Sequence, residues 1–261
     1  MIDIEMWRLI SAYVFVLLVL LIFKWRGISR KLKLTIATLR MTIQLVIAGY
    51  VLNYIFENPN PVLVVLIVLL MEFFAIYTIF KSIDHKMSKQ LKIVIALSML
   101  SGSLVALVYF NMIVLNVSPW FDARYVIPIA GMMIGNAMTG VTLGVQSLLD
   151  NMVTNRDKIE ASLMLGANPS KAVKPYVDRA FDSSVLPTIN NMVGMGIVFL
   201  PGMMTGQILA GLSPVTAIQY QLAIMLGILG GVAMSVILFT QFAYRTFFNK
   251  EVQLIYQIEK K

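Results

Sequence analysis

"PVLVVLIVLLMEFFAIYTIF", residues 61–80, carries one charged side chain, Glu72, in an otherwise apolar run. A bilayer core of about 30 Å takes roughly 20 such residues when they form a helix. A run of this length fits no ordinary strand, so the stretch reads as a membrane-spanning helix. Working outward, six further runs have the same character: Met6–Phe23, Leu34–Ile55, Ile93–Leu115, Tyr125–Leu149, Val185–Leu200 and Ala217–Phe242. The expected fold is an all-α, polytopic membrane protein of about seven transmembrane helices.

Composition agrees. The chain has 261 residues, 59% hydrophobic and 13% charged, with a mean hydropathy of +0.82. Soluble domains run near 45–50% apolar and about 25% charged. A formal charge of +8 fits basic cytosolic loops better than a nucleic-acid surface. The start, "MIDIEMWR", is acidic before its apolar run, whereas a cleaved signal begins basic. It reads as a retained helix in a multi-pass protein of the plasma membrane.

The basic residues set the orientation. Clusters at 24–33, 81–92 and 150–184 and in the C-terminal tail hold eighteen of the 21 lysines and arginines. All four clusters fall on one side of a seven-span chain. The positive-inside rule therefore puts the N-terminus outside and the C-terminus in the cytosol. The chain reads as a single permease domain, 1–261, whose one long cytosolic loop is 150–184.

Several features inside the spans bear on function. Arg40 sits six residues into the second span, about 9 Å deep, and Glu72 lies about 12 Å from the cytosolic end of the third. Charge at such depth usually meets a partner or water. Three readings stand: an Arg40–Glu72 pair, a snorkelling Arg40 with a separately buried Glu72, or a substrate or cation role for Glu72. The fifth span carries GxxxG spacings at Gly131/Gly135 and Gly140/Gly144, which permit close helix contact within a subunit or mark a pathway or dimer helix. Asn136 adds a mid-span polar group there, and Asn190 and Asn191 do the same in the sixth span. Methionines, 18 in all, concentrate in these two spans and include Met132, Met133, Met192, Met195 and Met204. Thioethers fill cores and also suit soft metals. Glu72, Asn136, Met132 and Met133 are the weak metal-ligand candidates. The segment 201–216 reads either as a re-entrant half-helix or as an irregular external loop.

Absences narrow the chemistry. The chain has no cysteine and one histidine, His85, which falls outside every span. It has no HExxH motif and no GxxxxGK[ST] phosphate loop. These absences argue against an intramembrane hydrolase, and ATP hydrolysis by that loop would need another polypeptide. Neither a catalytic nor a cofactor-binding residue is expected in this chain.

The cytosolic loop reads as helix, break, helix. Thr154 is the expected N-cap of a helix over 155–165, with Asp157 as a capping-box partner. Ile159 and Leu163 share one face. Gly166 ends the helix in the left-handed conformation, and Asn168 with Pro169 starts the next. Such a helix either lies on the membrane or docks a cytosolic partner.

"EASLMLGANPSKA", residues 160–172, resembles the cytosolic-loop signature of ABC-transporter permeases. Glu160, Ala161 and Gly166 match it, while Ser162 replaces an alanine. "QLVIAGYVLNYIF" (44–56), "VIPIAGMMIGNAM" (126–138) and "LPGMMTGQILAGLSPVTAIQYQ" (200–221) extend the resemblance to the FetB family, described as iron exporters and related to plant proteins linked to aluminium tolerance. The resemblance implies a homodimeric permease coupled to a separate, FetA-like cytosolic ABC ATPase that carries the ATP and Mg2+. It also implies docking through Glu160, Ala161, Leu163 and Met164, with Gly166 shaping the exit. The competing expectation is a secondary transporter or channel-like protein not powered by ATP, in which Glu72 would be an ion site. A non-transporting membrane scaffold is a third.

Overall fold

The computed structural model describes residues 5–249 and 251–254, so Lys250, Lys260 and Lys261 of the basic tail lie outside the described residues. The described chain is all-α. Ten α-helices, one π-helical turn and one 3-10 turn follow one another among the described residues. The chain divides into two units, one up to Pro59 and one from Asn60.

The first unit holds α1 (Met6–Ser11), α2 (Val14–Trp25) and α3 (Lys31–Glu57). Neither α1 nor α2 has a buried residue. An apolar helix whose side chains stay this exposed is built for lipid. α2 and α3 pack on each other, and Tyr13 Oη and Thr42 Oγ1 share a hydrogen bond of 2.6 Å between them. Arg40 lies on α3, in this first unit.

The second unit holds the packed core. α4 (Pro61–Ser82) begins at Asn60, whose Oδ1 accepts from the Val62 amide, with Pro61 in the first turn. α5 (Lys89–Tyr109) is capped by Ser88, whose Oγ accepts from the Leu91 amide. It runs into the π-turn Phe110–Val114. α6 (Ala123–Thr154) is the longest element, at 32 residues. α7 (Arg156–Met164), α8 (Pro169–Gly194), α9 (Gly202–Leu209) and α10 (Pro214–Ala243) follow. α10 packs against α5, α6, α8 and α9, and α6 against α4, α5, α8 and α10.

Glycine makes the closest approaches possible. A Cβ on Gly102 of α5 would stand 2.5 Å from the backbone of Ser235 on α10. One on Gly227 of α10 would stand 2.7 Å from the Phe110 ring. The two GxxxG intervals behave differently. Gly140 and Gly144 are buried, and a Cβ on either would collide with α8 or α10 at Ser184 or Val232. Gly135 meets nothing within 4 Å, and Gly131 only the tip of Met71. The inner interval packs within the subunit; the outer one is left open.

Six helical segments among the described residues are long and apolar enough to cross a membrane: 6–25, 31–57, 61–82, 89–114, 123–154 and 214–247. The sixth expected span is the difference. Val185–Leu200 is not one helix. The helix that contains its first part starts far earlier, at Pro169, and stops at Gly194. Beyond it Gly196 adopts φ +84°, left-handed backbone that glycine takes at little cost, and 195–200 is irregular. α8 has 26 residues, about 39 Å at ~1.5 Å per residue. Its length suffices to cross a bilayer, and its polar residues keep it from reading as a span.

Candidate functional site

The segment expected as a long loop is nearly all helix. α6 continues to Thr154, five residues past the last residue of the expected span, because hydropathy ends a span while backbone hydrogen bonds end a helix. Asn155 is the one residue between α6 and α7, and its side chain donates back to the Asn151 carbonyl at 3.0 Å. Thr154 is therefore the end of α6, and the N-cap of α7 is Asn155, which makes no side-chain capping bond. The C-terminal expectations hold. Gly166 has φ +85°; its amide donates to Leu163 O at 2.9 Å, and that of Ala167 to Ser162 O at 3.0 Å. This pair of bonds is a Schellman ending. Asn168 Oδ1 accepts from the Ser170 amide at 3.1 Å, and Pro169 opens α8.

α7 has an inner and an outer side. Ile159 is fully buried, Leu163 on the same face is half-buried, and α7 packs on α8. Glu160 accepts from Arg156 Nε at 2.7 Å, one turn away. Ala161 is exposed. Met164 and Leu165 project outward, 86% and 89% exposed. Leu165 escapes a sequence reading because it sits at the C-cap, where the helical periodicity stops. Near the ends of α4 and α6 a second contact joins neighbouring elements. Buried His85, after α4, places Nε2 3.4 Å from Asp150 Oδ1 near the end of α6.

Within the spans, Glu72 is fully buried on α4. Its Oε1 accepts a hydrogen bond from Ser103 Oγ of α5, and its Oε2 has no hydrogen-bond partner. Ser103 also donates to Met99 O at 2.6 Å. The other metal-ligand candidates are held by different neighbours. Asn136 Nδ2 donates to the Met132 carbonyl at 2.8 Å. Met133 is buried and reaches toward Gly231 of α10. No group of three or more His, Cys, Asp or Glu side chains placed to hold a metal occurs among the described residues.

α8 carries polar groups alongside the apolar length of α6. Ser184 lies against Gly144, five residues inside Leu149, the cytosolic end of the expected fifth span. Asn190 is six residues further along α8. The depth is then about 16 Å at ~1.5 Å per residue, near the middle of a core of about 30 Å. Asn190 and Asn191 are exposed there. Exposed amides at that depth call for water or another chain rather than lipid.

The family model described as "Uncharacterised protein family (UPF0014)" matches residues 6–248. The chain belongs to the UPF0014 family. Three relatives show the range of proteins it resembles. It is 35% identical over 223 residues to the "Probable iron export permease protein FetB" of Escherichia coli, covering 85% of this chain and 84% of that one. It is 35% identical over 244 residues to "Protein ALUMINUM SENSITIVE 3" of Arabidopsis thaliana, covering 94% and 88%. It is 34% identical over 242 residues to "UPF0014 membrane protein YjkA" of Bacillus subtilis, covering 92% and 94%. No solved structure matches significantly. This UPF0014 chain is a multi-pass membrane protein, with six helical segments among the described residues long and apolar enough to span.

Proposed function

We propose that the chain is the permease subunit of an ATP-driven ABC transporter, working as a homodimer with two copies of a separate, FetA-like ATPase and exporting iron or another metal ion. One observation carries the reading: Met164 and Leu165 stand almost fully exposed at the end of a short helix closed by a hydrogen-bonded Schellman turn. Apolar side chains held out in this way fit a groove on a partner. The Escherichia coli relative, a probable iron export permease, supports iron as cargo. ATP and Mg2+ belong to the ATPase, and this chain is not by itself an enzyme.

The coupling follows from the chain path. α7 is separated from α6 by Asn155 and from α8 by residues 165–168. A push on α7 therefore passes directly into both. Gly140 and Gly144 lock α6 against α8, so the two move as a pair. That motion shifts the open face of α6 at Gly131 and Gly135, and Asn190 and Asn191 of α8, against the second copy. Access to a pathway lined by small residues and amides alternates with the nucleotide state.

The test is co-purification of the detergent-solubilised permease with its ATPase. Met164→Asp with Leu165→Asp is expected to abolish co-purification and permease-dependent ATP hydrolysis while the melting temperature stays within a few degrees of the parent. An intact complex with normal ATP hydrolysis would overturn the docking role.

A further inference from the structure

A cavity of about 350 Å3 lies where the end of α8, the segment 195–200, α9 and α10 meet. Four methionines border it: Met192 from α8, Met195 from the irregular segment, Met204 from α9 and Met225 from α10. They come from four separate elements, so helical periodicity in one span does not account for their convergence. Gln221 of α10 joins them. It is 7% exposed; its Nε2 donates to Met195 Sδ at 3.9 Å, and its Oε1 is buried with no hydrogen-bond partner. Leaving a buried amide oxygen unpartnered is costly, and a positive charge in the cavity would satisfy it. The lining holds no carboxylate, imidazole or thiolate.

We infer that this cavity binds a soft monovalent cation, Cu(I) or Ag(I), through methionine sulfurs. Thioethers select soft ions, whereas hard and borderline divalent ions need carboxylate, imidazole or water oxygen. Four neutral sulfurs and one amide oxygen match a single positive charge at low dielectric. The cavity lies at the end of α8 opposite α7, on the outer side of the membrane in the orientation set by the basic loops. Binding here requires no ATPase partner, so its failure leaves the docking reading untouched.

Silver is the probe, because it is stable to oxidation. The full-length protein in nanodiscs is mixed with Ag(I), desalted and analysed by mass spectrometry for metal per chain. One retained silver per chain is expected, unaffected by equimolar Fe(II) or Zn(II). Met195→Leu with Met204→Leu is expected to lose it, while Met41→Leu with Met112→Leu, at exposed positions remote in sequence, keeps it. A second measurement uses the unaltered protein: Ag(I) should slow peroxide oxidation of Met192 and Met195 but not of exposed Met41 and Met112. No retained silver, silver retained by the Met195/Met204 variant, or equal oxidation of all four methionines with and without Ag(I), would each overturn the site.

Discussion

Gly144 of α6 and Ser184 of α8 cross so closely that a Cβ on the glycine would overlap the serine hydroxyl. Ser184 cannot retreat easily, because its Oγ is bonded to Ala180 O at 2.7 Å and the residue is buried. One turn away, Gly140 faces Val232 of α10 at a similar spacing. These two glycines seat α6 in the groove between α8 and α10. Close backbone approach, rather than hydrophobicity, supplies association energy among helices already in lipid.

Enlarging this contact is expected to separate the helices. Gly144→Val should destabilise by about 1–3 kcal/mol, in the range of overpacked cores. Gly135→Ala, where the same added atom meets open space, should leave stability unchanged or slightly raised. Thermal unfolding of the two variants in one detergent checks the contrast.

The buried carboxyl on α4 makes a second prediction. Ser103→Ala removes the hydroxyl that Glu72 accepts from, and a buried polar group left without its partner costs about 1–3 kcal/mol, more if charged. Replacing both, as Glu72→Leu with Ser103→Ala, should cost less than the sum of the two single changes. A double-mutant cycle on melting temperature reads the coupling. Additive losses would mean that the two side chains do not act as a pair.

The turn after α7 tolerates few residues. Gly166→Ala places a Cβ on a left-handed backbone and should cost roughly 1–2 kcal/mol. Asn168→Ala removes the cap of α8 and should cost about 1 kcal/mol. Both should raise amide hydrogen exchange in 156–172 before the spans are affected. If the turn serves docking, both variants should also weaken ATPase co-purification in proportion to that local loosening.

The absence of cysteine makes the mid-membrane amides simple to probe. Asn190→Cys is expected to react with a small hydrophilic thiol reagent in intact vesicles, because the position faces water or a chain boundary. Leu69→Cys, exposed on the apolar face of α4, is expected to stay unreactive in lipid. Equal rates at the two positions would remove α8 from the pathway.

The fold class was legible in residues 61–80 and in five of the six runs like them, because a length of apolar helix and a bilayer thickness are directly comparable quantities. The end of α7 was legible in Gly166, Asn168 and Pro169, where local backbone rules act over a few residues. Tertiary structure alone decided the rest. The hydropathy of 185–200 hid the true helix, which starts at Pro169 and owes its place to packing on α6 and α10. It separated the two GxxxG intervals into a packed pair and an open pair, which spacing treats as equal. It gave Glu72 its partner in Ser103, 31 residues away, and brought Met192, Met195, Met204 and Met225 to one cavity with Gln221. Membrane insertion depends on each segment's own composition, so one dimension suffices to read it. Helix contacts depend on which faces meet and how closely, and that is settled only when the helices are side by side.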